Sequence, residues 1–127
     1  MKIRIKGNSI RYRLIQSEVR ALADIGQIVE ETRFGPDASQ TLRYAIETKA
    51  DIEGLQADFS QNRITLYLPV QSAKSWPEDD RVGFEQEFQV TPDSTLFLLL
   101  EKDFVCLDEV AEDQSDNYPN PRYEKRD

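Results

Sequence analysis

The sequence predicts an α+β fold: mostly antiparallel β-sheet, with one short N-terminal helix and one further short helix. Three observations predict it. About seven or eight short segments alternate apolar and polar side chains with a period of two, the mark of half-buried strands. One stretch carries apolar residues at helical spacing between cap-type residues, and a second short one is bounded by Pro69 and Trp76-Pro77. The chain has 127 residues, 39% hydrophobic and 31% charged, which suits one core under a heavily solvated surface. A sheet of this many short strands can curl into a partly open barrel.

Taken in order, residues 2–6 and 9–14 place Ile3, Ile5, Ile10, Tyr12 and Leu14 on one face, with Lys2, Arg4, Lys6, Arg11 and Arg13 on the other. Gly7-Asn8 between them has the Gly-first chemistry of a two-residue hairpin turn. Ser17 reads as the N-cap of a helix over 17–25, with Val19, Leu22 and Ala23 on its apolar face and Gly26 as the left-handed residue beyond it. Residues 27–34 read as a strand closed by Gly35-Pro36-Asp37. The strand at 41–48 carries Leu42, Tyr44 and Ile46 on one face. Segments 52–59 and 63–68 turn at Gln61-Asn62, which sets Phe59 against Ile64 and keeps the apolar groups together.

Pro69 suits the first position of a short helix that Trp76-Pro77 ends. Residues 82–90 put Val82, Phe84, Phe88 and Val90 inward and Glu85, Glu87 and Gln89 outward. Residues 95–101 are apolar on both faces, which predicts a central strand covered on both sides, the N-terminal helix being the expected cover. No internal repeat is evident. The reading gives a single domain over 1–105 and an acidic, Pro-containing C-terminal tail over 106–127, docked in part.

Composition excludes more than it assigns. The net charge is −8, so the summed field repels phosphate and speaks against nucleic acid or an anionic membrane as partner. No apolar run is long enough to span a bilayer, and the N-terminus shows no secretory signal. With one cysteine there is no internal disulfide, so the cytoplasm is the expected compartment. There is no histidine, which removes His-based triads, histidine general bases and HExxH-type zinc sites. Phosphate-binding glycine loops and the GxSxG elbow are missing as well.

Two features could carry chemistry. The first is the basic row of the N-terminal hairpin: Lys2, Arg4, Lys6, Arg11 and Arg13. The Gly7-Asn8 turn sets Arg4 opposite Arg11 and Lys2 opposite Arg13, and like charges across a ladder cost roughly 0.2–1 kcal/mol per pair. Either a phosphate or carboxylate ligand offsets that cost, or an acidic strand carrying Glu85 and Glu87, or Glu47, does so internally. The second feature is the tail, where Cys106, Asp108, Glu109, Glu112, Asp113 and Asp116 resemble metal ligands only in residue type. Their spacing fits no EF-hand and one thiol without histidine makes a poor zinc site, so they read as a solvated acidic tail. Cys106 has acidic neighbours that disfavour a thiolate, so it reads as an inert cysteine.

The opening MKIRIKGNSIRYRLIQSEV, with EKDFVCLDEV and EDQSDNYPNP near the end, resembles an uncharacterised family of small bacterial proteins known only as a domain of unknown function. The resemblance implies a bacterial cytoplasmic protein and no particular activity. The first strand of the triphosphate-tunnel barrels carries ExExK, whereas the strand here is KIRIK and lacks both metal-holding glutamates.

The expected function is a small non-enzymatic interaction or anion-binding domain without catalytic residues, metal or cofactor. The alternative is a small phosphoryl- or carboxylate-handling enzyme built on the basic row. A protein or a small anion is the expected partner, and the free edge of the hairpin leaves a homo-oligomer open.

Overall fold

The computed structural model describes residues 1–104 and 115–119. The elements run β1 (Lys2–Lys6), β2 (Ser9–Leu14), α1 (Gln16–Ile25), β3 (Gln27–Arg33), a 3₁₀ turn (Ala38–Gln40), β4 (Thr41–Lys49), β5 (Gln56–Ser60), β6 (Arg63–Pro69), α2 (Val70–Ser75), β7 (Gly83–Thr91) and β8 (Ser94–Lys102). They form two four-stranded sheets. The first has the order β1-β2-β8-β7 and the second β3-β4-β6-β5. Every hairpin is antiparallel, while the two central pairs, β2 with β8 and β4 with β6, are parallel. Both sheets are therefore mixed, and no barrel closes.

The order contains a repeat that the sequence reading missed. Residues 2–49 form a β-β-α-β-β unit, and residues 56–102 form another. The registers of the two units coincide. Lys6 pairs with Ser9 as Ser60 pairs with Arg63. Gln27 pairs with Glu47 as Gly83 pairs with Glu101. The parallel pair Ser9–Phe97 matches the pair Arg63–Arg43. Even the loop bonds recur: Phe97 N donates to Asn8 O at 3.0 Å, and Arg43 N to Asn62 O at 2.9 Å. Likewise Thr48 N donates to Gly26 O at 2.9 Å and Lys102 N to Val82 O at 2.8 Å. The two-residue turns agree at their first position, with positive φ at Gly7 (54°) and Gln61 (49°), and differ at the second, where Asn62 (60°) is positive and Asn8 is not.

The apolar faces of both sheets share one core with the helices. Equivalent positions fill it: Tyr12 and Leu66, Leu14 and Leu68, Leu22 and Trp76, Ile46 and Leu100 are all buried. Trp76 meets the Phe84 ring edge-on at 5.0 Å, and its indole N–H donates to Arg81 O at 2.8 Å. That bond satisfies the polar end of a fully buried ring. Helix α1 packs on α2, β3 and β4, and Gly26 ends it at φ 87°.

Four expectations change in detail. Ser17 is not the N-cap of α1; Ile15 is, its N–H donating to the Glu18 carboxylate at 3.1 Å. Pro69 precedes α2 instead of opening it. The period-two pattern points Ile5, Phe59, Val82 and Val90 inward, yet all are exposed. They sit on or beside edge strands or at strand ends, past the reach of the opposite sheet. Finally, α1 does not cover the outer face of β8, and this difference defines the site below.

The segment 115–119 lies against the domain. Gln16 N donates to Asp116 O at 3.0 Å, Tyr118 N to Asp103 O at 2.8 Å, and Asn117 Nδ2 to Phe104 O at 3.3 Å. Lys102, buried at the end of β8, donates to Asp79 O at 2.8 Å with its ammonium 4.9 Å from the Tyr118 ring.

Candidate functional site

Strand alternation sends every second residue of the first sheet away from the core. Pairing then arranges these outward residues in rows across four strands. One row runs Arg4, Arg11, Leu99, Glu85; the next runs Lys6, Ser9, Phe97, Glu87. The third runs Lys2, Arg13, Glu101, Gly83. The face is thus basic on β1 and β2, apolar along β8, and acidic on β7.

The structure divides the five predicted basic residues. Arg11 is held by Glu101, Nε to Oε1 at 2.5 Å, and Arg13 lies 3.6 Å from the same oxygen. Lys2 pairs with Asp103 at 3.1 Å. Arg4 and Lys6 have no ion-pair partner among the described residues, and neither have Glu85 and Glu87. So the like-charge pair Arg4–Arg11 is relieved on one side only. The relief comes from Glu101, not from Glu47, which pairs instead with Arg63 at 2.5 Å. Glu85 and Glu87 do lie on this face, but one strand beyond β8.

An open concavity of about 780 Å³ covers this surface, lined by Arg4, Lys6, Arg11, Glu85, Glu87 and Phe97 among others. Phe97 is the exposed centre, with 52% of its surface in water. An aromatic ring half in water between two oppositely charged flanks costs hydration free energy that a docked partner would recover. The Ser9 hydroxyl is committed to Lys6 O at 2.8 Å, so it is not poised as a nucleophile. Among the described residues no group of three His, Cys, Asp or Glu side chains could hold a metal. Of the acidic-tail candidates, Asp116 accepts a hydrogen bond from the Ser17 hydroxyl; Cys106, Asp108, Glu109, Glu112 and Asp113 lie outside the described residues.

Three residues of this face were missed by sequence reading: Phe97, Leu99 and Glu101. Their apolar or acidic character was visible. What was not visible is that β8 pairs in parallel with β2 and, among the described residues, leaves Phe97 on its outer side half exposed.

A family model described as a family of unknown function, DUF7009, matches residues 1–122. The chain belongs to that family. DUF7009 membership agrees with the resemblance read from the two ends of the sequence and assigns no activity. No curated protein and no solved structure gives a match. Among the described residues, no helix of this DUF7009 chain is long and apolar enough to cross a membrane.

Proposed function

We propose that this chain is a non-enzymatic interaction domain that docks a protein partner on the outer face of its first sheet. The observation that carries the reading is Phe97, half exposed at the centre of a concavity whose flanking charges Arg4, Lys6, Glu85 and Glu87 have no ion-pair partners among the described residues. A small anion is favoured less. It calls for convergent cations in a closed site, whereas this face is open, mixes both signs of charge, and has Arg11 already engaged by Glu101. An apolar centre flanked by charge is instead the anatomy of a protein interface. The enzyme alternative finds less support still, since a catalytic pocket is normally enclosed and brings acid and base within reach of one atom.

The test has two arms. The immobilised chain is expected to retain a protein from an extract of its own cells, and to lose it on Phe97→Asp or Arg4→Glu/Lys6→Glu, with far-ultraviolet circular dichroism unchanged. Retention untouched by both variants overturns the reading. In the second arm, phosphate, pyrophosphate and nucleotides are expected to leave the melting temperature unchanged. A shift that disappears in Arg4→Ala/Arg11→Ala replaces the protein partner by an anion.

A further inference from the structure

The charge pattern of this face specifies what fits it. Basic residues occupy the β1–β2 side, acidic residues the β7 side, and the apolar strip of Leu99 and Phe97 lies between. Such a face is complementary to itself under one particular operation. A two-fold axis lying in the face and parallel to the strands exchanges the two flanks, so that β1 of one copy lies over β7 of the other. Arg4 then faces Glu85 of the second copy and Lys6 faces Glu87, each contact made twice. A two-fold axis perpendicular to the strands would instead set basic on basic and acidic on acidic. Charge thus selects one dimer out of the face-to-face arrangements.

We propose that the occupant of this face is a second copy of the chain, packed sheet on sheet about that axis. The proposal rests on the interaction-domain reading and names its partner. It accounts for three observations together. The exposed ring of Phe97 and the side chain of Leu99 leave water. Arg4, Lys6, Glu85 and Glu87, without ion-pair partners among the described residues, acquire them at the rim of the contact. Strands of the two copies run nearly along one another, as aligned sheets pack when each carries the usual twist.

The size of the face sets the strength. Four strands about 4.8 Å apart, averaging about seven residues at ~3.3 Å each, give a footprint on the order of 400 Å² per copy. Two such footprints, about 800 Å² together, fall short of the roughly 1,200 Å² that specific stable interfaces bury and belong with weak, transient contacts. The dimer is therefore reversible and concentration-dependent. The net charge of −8 per copy opposes it at low ionic strength. Near physiological salt the Debye length is about 8 Å, so distant repulsion is screened while contact pairs persist.

Sedimentation velocity on the full chain, at physiological salt and from micromolar to sub-millimolar concentration, tests the proposal. The wild type is expected to pass from monomer to dimer. Arg4→Glu/Lys6→Glu makes both flanks acidic, and Glu85→Lys/Glu87→Lys makes both basic. Each double variant alone is expected to remain monomeric. Mixed in equal amounts they are expected to restore the dimer, because every flank then meets its opposite. A structural role for these residues could not produce that rescue. A wild type that stays monomeric throughout overturns the dimer, as does a dimer that survives in both double variants. Two monomeric variants that fail to associate on mixing overturn the two-fold arrangement. If the wild type is monomeric yet Phe97→Asp still abolishes capture of another protein, the dimer falls and the interaction domain stands.

Discussion

At Phe97 the first sheet leaves an aromatic ring half in water; at the equivalent point of the second sheet stands Arg43, in an ion pair with Glu31 at 3.4 Å. The comparison extends across both outer faces, because the two units share one register. Leu99 of the first corresponds to Ala45 of the second, and Arg11 to Thr65. Ala45 and Thr65 face outward yet are 0% and 3% exposed, because long side chains close over them. Arg63 reaches Glu47 at 2.5 Å and the Thr65 hydroxyl at 3.3 Å, and Lys49 lies 4.8 Å from the Tyr67 ring centre. The second sheet thus seals its outer face with its own charges around small central residues. The first sheet places large apolar residues at the centre and leaves charges of opposite sign apart on the flanks. One strand plan gives one finished surface and one unfinished surface, and the unfinished one is where a partner is expected.

The comparison first requires that the two units be structurally equivalent, and the core offers the largest effect. Leu22 in α1 and Trp76 just after α2 fill matching positions and are both fully buried. Leu22→Ala and Trp76→Ala are each expected to cost about 3–5 kcal/mol, through lost transfer free energy and the cavity left behind. Urea unfolding with matched slopes would measure both. A large loss at one site beside a loss under about 1 kcal/mol at the other would break the equivalence.

How much of this was legible depends on which physical signal carried it. The N-terminal hairpin was readable to the residue pair, since Gly7 and a clean period of two fix the register locally. The duplication was not readable. It survives in scattered pairs: Asn8 and Asn62, Ile10 and Ile64, Leu14 and Leu68, Thr41 and Thr95, Glu47 and Glu101. Between them Pro36-Asp37 and Pro92-Asp93 correspond, but the stretch from Arg33 to Thr41 is two residues longer than its counterpart from Gln89 to Thr95, while that from Trp76 to Gly83 is two longer than that from Leu22 to Gln27. These compensating changes hide the spacing. The site failed to show for a related reason. Apolarity on both sides of residues 95–101 reports hydrophobic side chains, not whether anything covers them. That Glu101 would serve Arg11 depends on parallel pairing between strands at opposite ends of the chain, which no local pattern encodes.

A second prediction separates the units inside the core. Tyr12 and Leu66 are equivalent and buried, but Tyr12 carries a hydroxyl with no hydrogen-bond partner among the described residues. Removing a buried, unsatisfied hydroxyl recovers its desolvation cost, so Tyr12→Phe is expected to stabilise the protein by about 1 kcal/mol. Burial also pushes the Tyr12 phenol well above its ordinary value. The folded state therefore holds this proton where the unfolded chain, with a pKa near 10, releases it. The resulting contribution to stability is complete below about pH 10 and is lost progressively as pH rises above it. Tyr12→Phe should flatten that alkaline decline. Melting curves of both proteins that stay parallel across this range would show that the hydroxyl is solvated or partnered.

The smallest effect bears most directly on the two faces. On the second sheet, Arg63→Ala removes a formed ion pair whose side chains are 33% and 30% exposed. The expected loss is about 0.5 kcal/mol, the scale of partly solvated pairs, and it should shrink in high salt. On the first sheet, Arg4→Ala removes a cation that has no ion-pair partner among the described residues and stands directly opposite Arg11. Relief of like-charge repulsion, worth roughly 0.2–1 kcal/mol, makes this substitution neutral to stabilising in the isolated chain. The two arginine deletions should thus differ in sign, measured at a concentration low enough to keep the chain monomeric. At high concentration, where copies meet on the first sheet, Arg4→Ala should lose its advantage while Arg63→Ala is unchanged. A loss at Arg4 as large as that at Arg63 under dilute conditions would mean that Arg4 is engaged within the monomer, and the contrast between an open and a sealed face would no longer hold.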